Sequence, residues 1–572
     1  MHSTPSRRTF VKGLAVGGLL GGLGLWRNPV WALTSPGQPT VLAGSEFDLF
    51  IDQTAVNLTG RNRTTTGRNR TALTINGSLP GPLLRWREGD TVTLRVKNRL
   101  AEPTSIHWHG ILLPSTMDGV PGLSFKGIEP GGVFVYQFTL KQHGTYWYHS
   151  HSGFQEQRGV YGPLVIDPKE PEPFSYQRDY VVMLSDWTDE DPVALMKTLK
   201  KQSDYYNLHK PTVGDFVRDV GAKGWSATAA DRLMWAQMKM NPTDLADVSG
   251  ETYTYLLNGQ PPERNWTGLF AAGETIRLRL INGSAMSYFD VRIPGLKMTV
   301  VAADGQPVKP VSVDELRIAV AETFDVLVEP TAPAYTLFAQ AMDRSGFARG
   351  TLARQAGLTA PVPVIDPRSW ITMDDMGMGG MDHGAMAGME GMDHSAMAMQ
   401  SHPASEQDNP LVDMQAMNPV PKLDDPGIGL RNNGRRVLTY ADLRSTFEDP
   451  DGRDPSRTIE LHLTGHMEKF AWSFNGVKFS AAEPLQLTYG ERVRLVLVND
   501  TMMSHPIHLH GLWSDLEDEN GQFQVRKHTI DMPPGSRRSY RVTADALGRW
   551  AYHCHLLYHM EMGMFREVRV HE

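Results

Sequence analysis

Gly89-Asp-Thr-Val-Thr-Leu-Arg-Val-Lys-Asn98 decides the fold, because the chain writes this phrase three times. Its middle alternates apolar and polar residues with period two, the pattern of a half-buried strand. It returns as Gly273-Glu-Thr-Ile-Arg-Leu-Arg-Leu-Ile-Asn282 and as Gly490-Glu-Arg-Val-Arg-Leu-Val-Leu-Val-Asn499. Each copy follows an Asn-Gly turn, at Asn76-Gly77, Asn258-Gly259 and Asn475-Gly476. A repeat of this very long period predicts three homologous all-β domains, each a sandwich of short strands.

A second phrase links the first copy to the third. Gly144-Thr-Tyr-Trp-Tyr-His-Ser-His151 matches Gly548-Arg-Trp-Ala-Tyr-His-Cys-His555. Cys554 is the only cysteine among 572 residues, which excludes an internal disulfide framework. His553 and His555 flank it, and His559 and Met564 lie further along. One thiolate, two imidazoles and a weak thioether make a blue-copper electron-transfer site. Successive strand residues face opposite sides, so a strand that points Cys554 one way points His553 and His555 the other. One strand then serves two metal sites.

The remaining ligands are in the text. His107/His109, His149/His151, His508/His510 and His553/His555 are four His-x-His pairs, two in each matching domain. Eight imidazoles hold three copper ions if the first and third domains face each other. Imidazole alone suits several metals; the thiolate site selects copper. In His505-Pro-Ile-His508-Leu-His510-Gly511 the three histidines cannot share one face. That frees His505 to complete the thiolate site. In the second domain the segment after Asn282, Gly-Ser-Ala-Met-Ser-Tyr-Phe-Asp290, has no histidine, so that domain is expected to be a metal-free spacer.

With these motifs assembled, the chain resembles the multicopper oxidases over nearly its whole mature length. Among them it is most similar to the periplasmic copper-resistance members of CopA/PcoA type. The resemblance implies three cupredoxin-like Greek-key β-sandwich domains with a trinuclear cluster between the first and third. It implies four copper ions. His505, Cys554, His559 and Met564 would bind the type 1 copper, and His107 and His508 the type 2 copper. His109, His149, His151, His510, His553 and His555 would bind the type 3 pair. It further implies that four one-electron steps reduce dioxygen to two waters. Asp118, in Asp118-Gly-Val-Pro, matches a family acid on the type 2 side; the plain alternative is a turn aspartate before glycine. Some relatives carry a glutamate directly after the third histidine of the C-terminal motif. Here that residue is Met560, and Glu561 next to it is the candidate second proton donor.

The rest of the chain supplies context. Ser6-Arg-Arg-Thr-Phe-Val-Lys12, a Gly/Leu-rich run and Val30-Trp-Ala32 resemble a twin-arginine signal over 1–32. This predicts export to the bacterial periplasm with no membrane span in the mature chain; an uncleaved anchor is the alternative. The expected domains are 45–167, 175–360 with a helical insertion at about 190–245, and 436–572. Between the last two, 361–435 reads as a flexible Met-rich linker. Nine of the chain's 28 methionines fall between Met373 and Met399, among residues that cannot build a core. Thioether sulfur favours Cu(I). Met373, Met376, Met378, Met381, His383, Met386, Met389, Met392, His394, Met397 and Met399 are therefore candidate Cu(I)-collecting ligands. Met502, Met503, Met560 and Met562, beside the thiolate loop, could extend that path or simply pack the core.

The expected activity is oxidation of Cu(I) coupled to dioxygen reduction in copper tolerance. The alternatives are a laccase-like oxidase of phenols and hydroquinones, and a periplasmic copper store or carrier. A net charge of −8 argues against a nucleic-acid surface, and a monomer is expected. His143, His209, His462, His466 and His528 receive no role and are read as surface or structural.

Overall fold

The structure is a computed structural model describing residues 39–58, 70–378 and 400–572. The expected signal segment lies outside these residues. So do Met381, Met386, Met389, Met392, Met397, Met399, His383 and His394.

The described residues form six sheets in three successive pairs. Strands between Val41 and Asp167 make a five-stranded and a four-stranded sheet. Those between Arg178 and Ala353 make a six- and a five-stranded sheet, and those between Arg457 and His571 make another six and five. The architecture is all-β and strand-dominated. No helix among the described residues is long and apolar enough to cross a membrane.

The three-fold phrase acts identically in each unit. Asn76, Asn258 and Asn475 all adopt positive φ, at 53°, 50° and 52°, the left-handed conformation Asn tolerates in tight turns. Their Oδ1 atoms accept from the backbone N–H of Phe50, Met183 and His462. At the far end of each phrase, Asn98 donates to the carbonyls of Glu102 and Ile128, Asn282 to those of Ser287 and Ile318, and Asn499 to those of Met503 and Met532. A buried amide that bonds two loop carbonyls pins the start of the next strand. In the first copy Val92, Leu94 and Val96 are fully buried, as the alternation requires.

The second copy departs from simple alternation, because its polar face is buried too. Arg277 and Arg279 are each 1% exposed. Arg277 pairs with Asp325 and Glu172; Arg279 pairs with Asp179 and donates to Thr145 of the first unit. The charges are tolerated because each guanidinium meets carboxylates at hydrogen-bond distance.

Between Thr188 and Tyr253 run three helices, Pro192–Leu199, Val213–Lys223 and Trp225–Met238. Asp191 caps the first, accepting from Ala194 N–H, and a Thr212/Asp215 capping box starts the second. In the third helix Leu233 is exposed and Trp235 takes the buried position.

The described flanks of the 361–435 segment are tied to the rest of the chain. Asp366 meets Arg292 and Arg435. Lys422 donates to the carbonyls of Asp375 and Pro534, and Val420 bridges to Ser536. Backbone bonds and ion pairs hold this text in place together with the buried Ile371, Met414, Leu423 and Leu430. Met376 is 0% exposed and packs in the core, with Met373 and Met378 half-buried against it.

Candidate functional site

The strand Gly548–Cys554 runs antiparallel to His505–Leu509, with Ile507 opposite Cys554 and His508 opposite His553. In the first unit the strand His107–His109 pairs the same way with Gly144–His149, and His107 stands opposite His149. The two histidine-bearing ribbons face each other. His107 stacks on His510 with ring centroids 3.9 Å apart, and His109 stacks on His508 at 3.8 Å.

Eight imidazoles converge here. His109, His149 and His555 form one group whose nitrogens lie within 4.8 Å of one another; His151, His510 and His553 form a second; His107 and His508 meet beside His109. Nε2 of His555 lies 3.3 Å from Nε2 of His149. Nε2 of His553 lies 3.3 Å from His151 and 3.0 Å from His510. The outward nitrogens are tied. Nδ1 of His107 donates to the Asp118 carbonyl, Nδ1 of His508 to the His528 carbonyl, and Nδ1 of His553 to the Cys554 carbonyl. His149 Nδ1 contacts Glu156 Oε2 at 2.7 Å, and His510 Nδ1 contacts Asp118 Oδ2 at 2.8 Å. Such bonds fix the tautomer that aims the lone pair inward. The inward Nε2 atoms of His107 and His508 are buried with no hydrogen-bond partner, as ligands awaiting a cation would be. Burial holds His109, His149, His151, His508, His510 and His555 well below the ordinary imidazole range and His553 at about 4. They are therefore neutral and competent as ligands.

On the opposite face of the same strand, Cys554 Sγ lies 3.4 Å from His505 Nδ1 and 3.9 Å from His559 Nδ1. The outer nitrogens are again fixed: His505 Nε2 bonds Thr501 Oγ1 at 2.8 Å, and His559 Nε2 bonds Asp247 Oδ2 at 2.7 Å. Met564 is fully buried, and its loop is tied by Cys554 N–H to the Met564 carbonyl and Met564 N–H to the His559 carbonyl. Burial pushes the Cys554 thiol well above its ordinary range. A metal reverses that preference, because a coordinated thiol is deprotonated. A soft donor with two neutral imidazoles fits copper. Met502 and Met503 are each 1% exposed, and Met560 and Met562 are half-buried against the core.

Asp118 sits between the two ribbons, 3% exposed, with Oδ1 3.2 Å from His107 Nδ1. Gly119 makes this approach possible. Its φ is +78°, and a Cβ there would meet the Ile106 carbonyl oxygen at 1.8 Å. The helix Leu557–Glu561 turns Leu557, Tyr558 and His559 inward, and Glu561, about 200° round from His559, is exposed. The glutamate that meets a cluster histidine is Glu156, 3% exposed.

Sequence reasoning missed three further groups. His528 lies with Nδ1 3.2 Å from His109 Nε2, so it orients a cluster histidine while leaving Nδ1 of His109 buried and unpartnered. Asp247 supports His559, and with Tyr206, His209, Asp244, Asp343, Arg368 and Trp370 it lines a cleft. Burial raises both Asp244 and Asp247, the latter to about 8. Glu156 is the third.

Three family models, each for multicopper oxidases, match residues 57–171, 178–357 and 452–572. The chain is 72% identical to copper resistance protein A of Pseudomonas syringae pv. tomato, with 100% of each chain covered. It is 68% identical to copper resistance protein A of Escherichia coli, with 99% of each covered. Among solved structures the fold is similar to Fet3p, described as a multicopper oxidase that functions in iron import. That match has a TM-score of 0.64 and 18% identity, and covers 92% of this chain and 90% of that one.

Proposed function

The chain belongs to the multicopper oxidase family, and on that premise we propose that it oxidises Cu(I) in the periplasm and passes the electrons to dioxygen, forming water. Its relatives of near-full length carry copper resistance in their names, and the chain is read as an oxidase of copper resistance.

In this reading four copper ions are resident. His505, Cys554, His559 and Met564 hold the type 1 ion; His107 and His508 hold the type 2 ion; His109, His149, His151, His510, His553 and His555 hold the type 3 pair. Bound copper supplies the one-electron chemistry and the reduction of dioxygen. The protein supplies the rest. The observation that carries the reading is the single strand that presents Cys554 to His505 and His559 while its peptide neighbours His553 and His555 join the imidazole cluster. A copper store has no use for two sites joined by three covalently linked residues. Asp118 and Glu156 are placed to hold protons at the cluster's outer nitrogens, and their burial excludes bulk water from it.

Cu(I) as donor is supported by the relatives named for copper resistance and by the methionine-rich text between Met373 and Met399, whose thioethers favour Cu(I). Export of the folded chain rests on the twin-arginine text at Ser6–Lys12.

Oxygen uptake by the copper-loaded protein, with Cu(I) and separately with a hydroquinone, tests the reading. Cu(I)-driven uptake is expected, and Asp247→Asn lowers it about 10-fold, as loss of a carboxylate partner to a ligand histidine does, while the thiolate-to-copper absorption survives. Uptake on hydroquinone alone establishes the laccase-like reading. No absorption and no uptake after full loading leaves a copper store.

A further inference from the structure

His402, Glu406, His462 and Asp500 form a second kind of metal-binding constellation, sharing no residue with the sites above. Their ligand atoms all lie within 4.8 Å of one another. His402 Nδ1 is 3.3 Å from Glu406 Oε2 and 3.3 Å from Asp500 Oδ2. His462 Nδ1 is 2.6 Å from Asp500 Oδ2 and 3.8 Å from Glu406 Oε1. Tetrahedral ligands about 2.0–2.2 Å from one ion stand roughly 3.3–3.6 Å apart, so two of these four separations already suit an ion at the centre, and the 2.6 Å and 3.8 Å pairs bracket that range.

The surroundings are built in the same way as those of the copper-ligand histidines. The far nitrogen of His402 donates to the Ala416 carbonyl at 3.2 Å, and that of His462 faces Glu460 Oε1 at 3.3 Å. Each arrangement fixes the tautomer with Nδ1 turned inward. Gln415 donates to Glu406 Oε2, and Ala416 N–H donates to Asp500 Oδ1. One atom is left over. Glu406 Oε1 is buried without a hydrogen-bond partner, on a side chain 0% exposed, and it points into the group. Two buried carboxylates facing two imidazole lone pairs need positive charge between them. His402, its side chain 13% exposed, is the open side.

We propose that these four residues bind one divalent transition ion of borderline softness, Cu(II) or Zn(II), as a site additional to the four coppers of the oxidase. Two imidazoles and two carboxylates match that class and not Cu(I), which prefers sulfur. The site's position gives it a structural sense. Gln400, two residues before His402, is the first described residue after 379–399, and Asp500 precedes Thr501, whose hydroxyl bonds His505. An ion here ties the root of the methionine-rich segment to the loop that carries a type 1 ligand.

The test is anomalous diffraction from crystals of the copper-loaded protein soaked separately in Zn(II) and Cu(II), collected at both metal edges. A peak among the four side chains at either edge is expected, and the edge identifies the ion. In solution the Glu406→Gln protein should bind that ion at least about 10-fold more weakly than wild type, with the thiolate-to-copper absorption retained. Should Glu406→Gln fail to fold, His402→Ala, at the open side, replaces it. No peak at either edge with millimolar ion overturns the proposal: the group is then a proton-bridged set of ion pairs. This outcome is read from the density alone, so it is separable from any failure of the oxidase reading.

Discussion

Gly144–His149 and Gly548–Cys554 are the same strand made twice, and they diverge at the residue after the shared Tyr-His. In the third unit Cys554 turns its sulfur toward His505 and His559. In the first, Ser150 occupies the corresponding position, and its hydroxyl donates to Gln155 Oε1, which also accepts from Thr104. Where one unit keeps a pocket for a soft cation, the other closes it with a hydrogen-bonded plug. Both strands keep their flanking histidines for the shared cluster. The backbone therefore places the flanking histidines, and one side chain with its neighbours decides whether a thiol or a hydroxyl faces the other side.

The sharpest way to break this contrast is Cys554→Ser, which gives the third unit the first unit's chemistry. The thiolate-to-copper absorption should vanish, and oxygen uptake should fall at least about 10³-fold, since members of one catalytic relay fail together. Retention of uptake within a few-fold would mean that electrons reach the cluster without Cys554. A smaller effect is expected on the first unit's side. Glu156→Gln removes the carboxylate from His149 Nδ1 and should cost about 10–100-fold in cluster copper affinity or activity. The visible absorption should stay, because Glu156 touches only the cluster. Smallest is Ser150→Cys. Thr104 and Gln155 still fill the space, so no second absorption band should appear. The lost hydroxyl bond should cost about 1 kcal/mol, measured by denaturant unfolding.

The contrast also shows what a linear text conveys. The ligands stand in local phrases such as His553-Cys-His555, whose alternation along a strand is readable without tertiary knowledge. The three Asn-Gly turns likewise announce the repeat. Glu156 and Asp247 carry no such mark: each reaches its histidine across tertiary space, 7 and 312 residues away in sequence. His462 and His528, left without roles by sequence, acquire them only from what packs beside them. Glu561 shows the converse. It is two residues from His559, but a helical turn carries it to the far side. Arg277 and Arg279 read as a solvent face until the neighbouring unit covers them.

The cluster's division between the two ends of the polypeptide fixes an order in time. His107 to His151 leave the ribosome first, and the other four imidazoles begin at His508. At about 5–20 residues per second this gap lasts roughly 20–70 s. Throughout it a nascent chain offers half a cage and no thiolate. A chain ended early by a nonsense codon before residue 508 never offers more. Assembly of all eight imidazoles therefore waits until the third unit has been made.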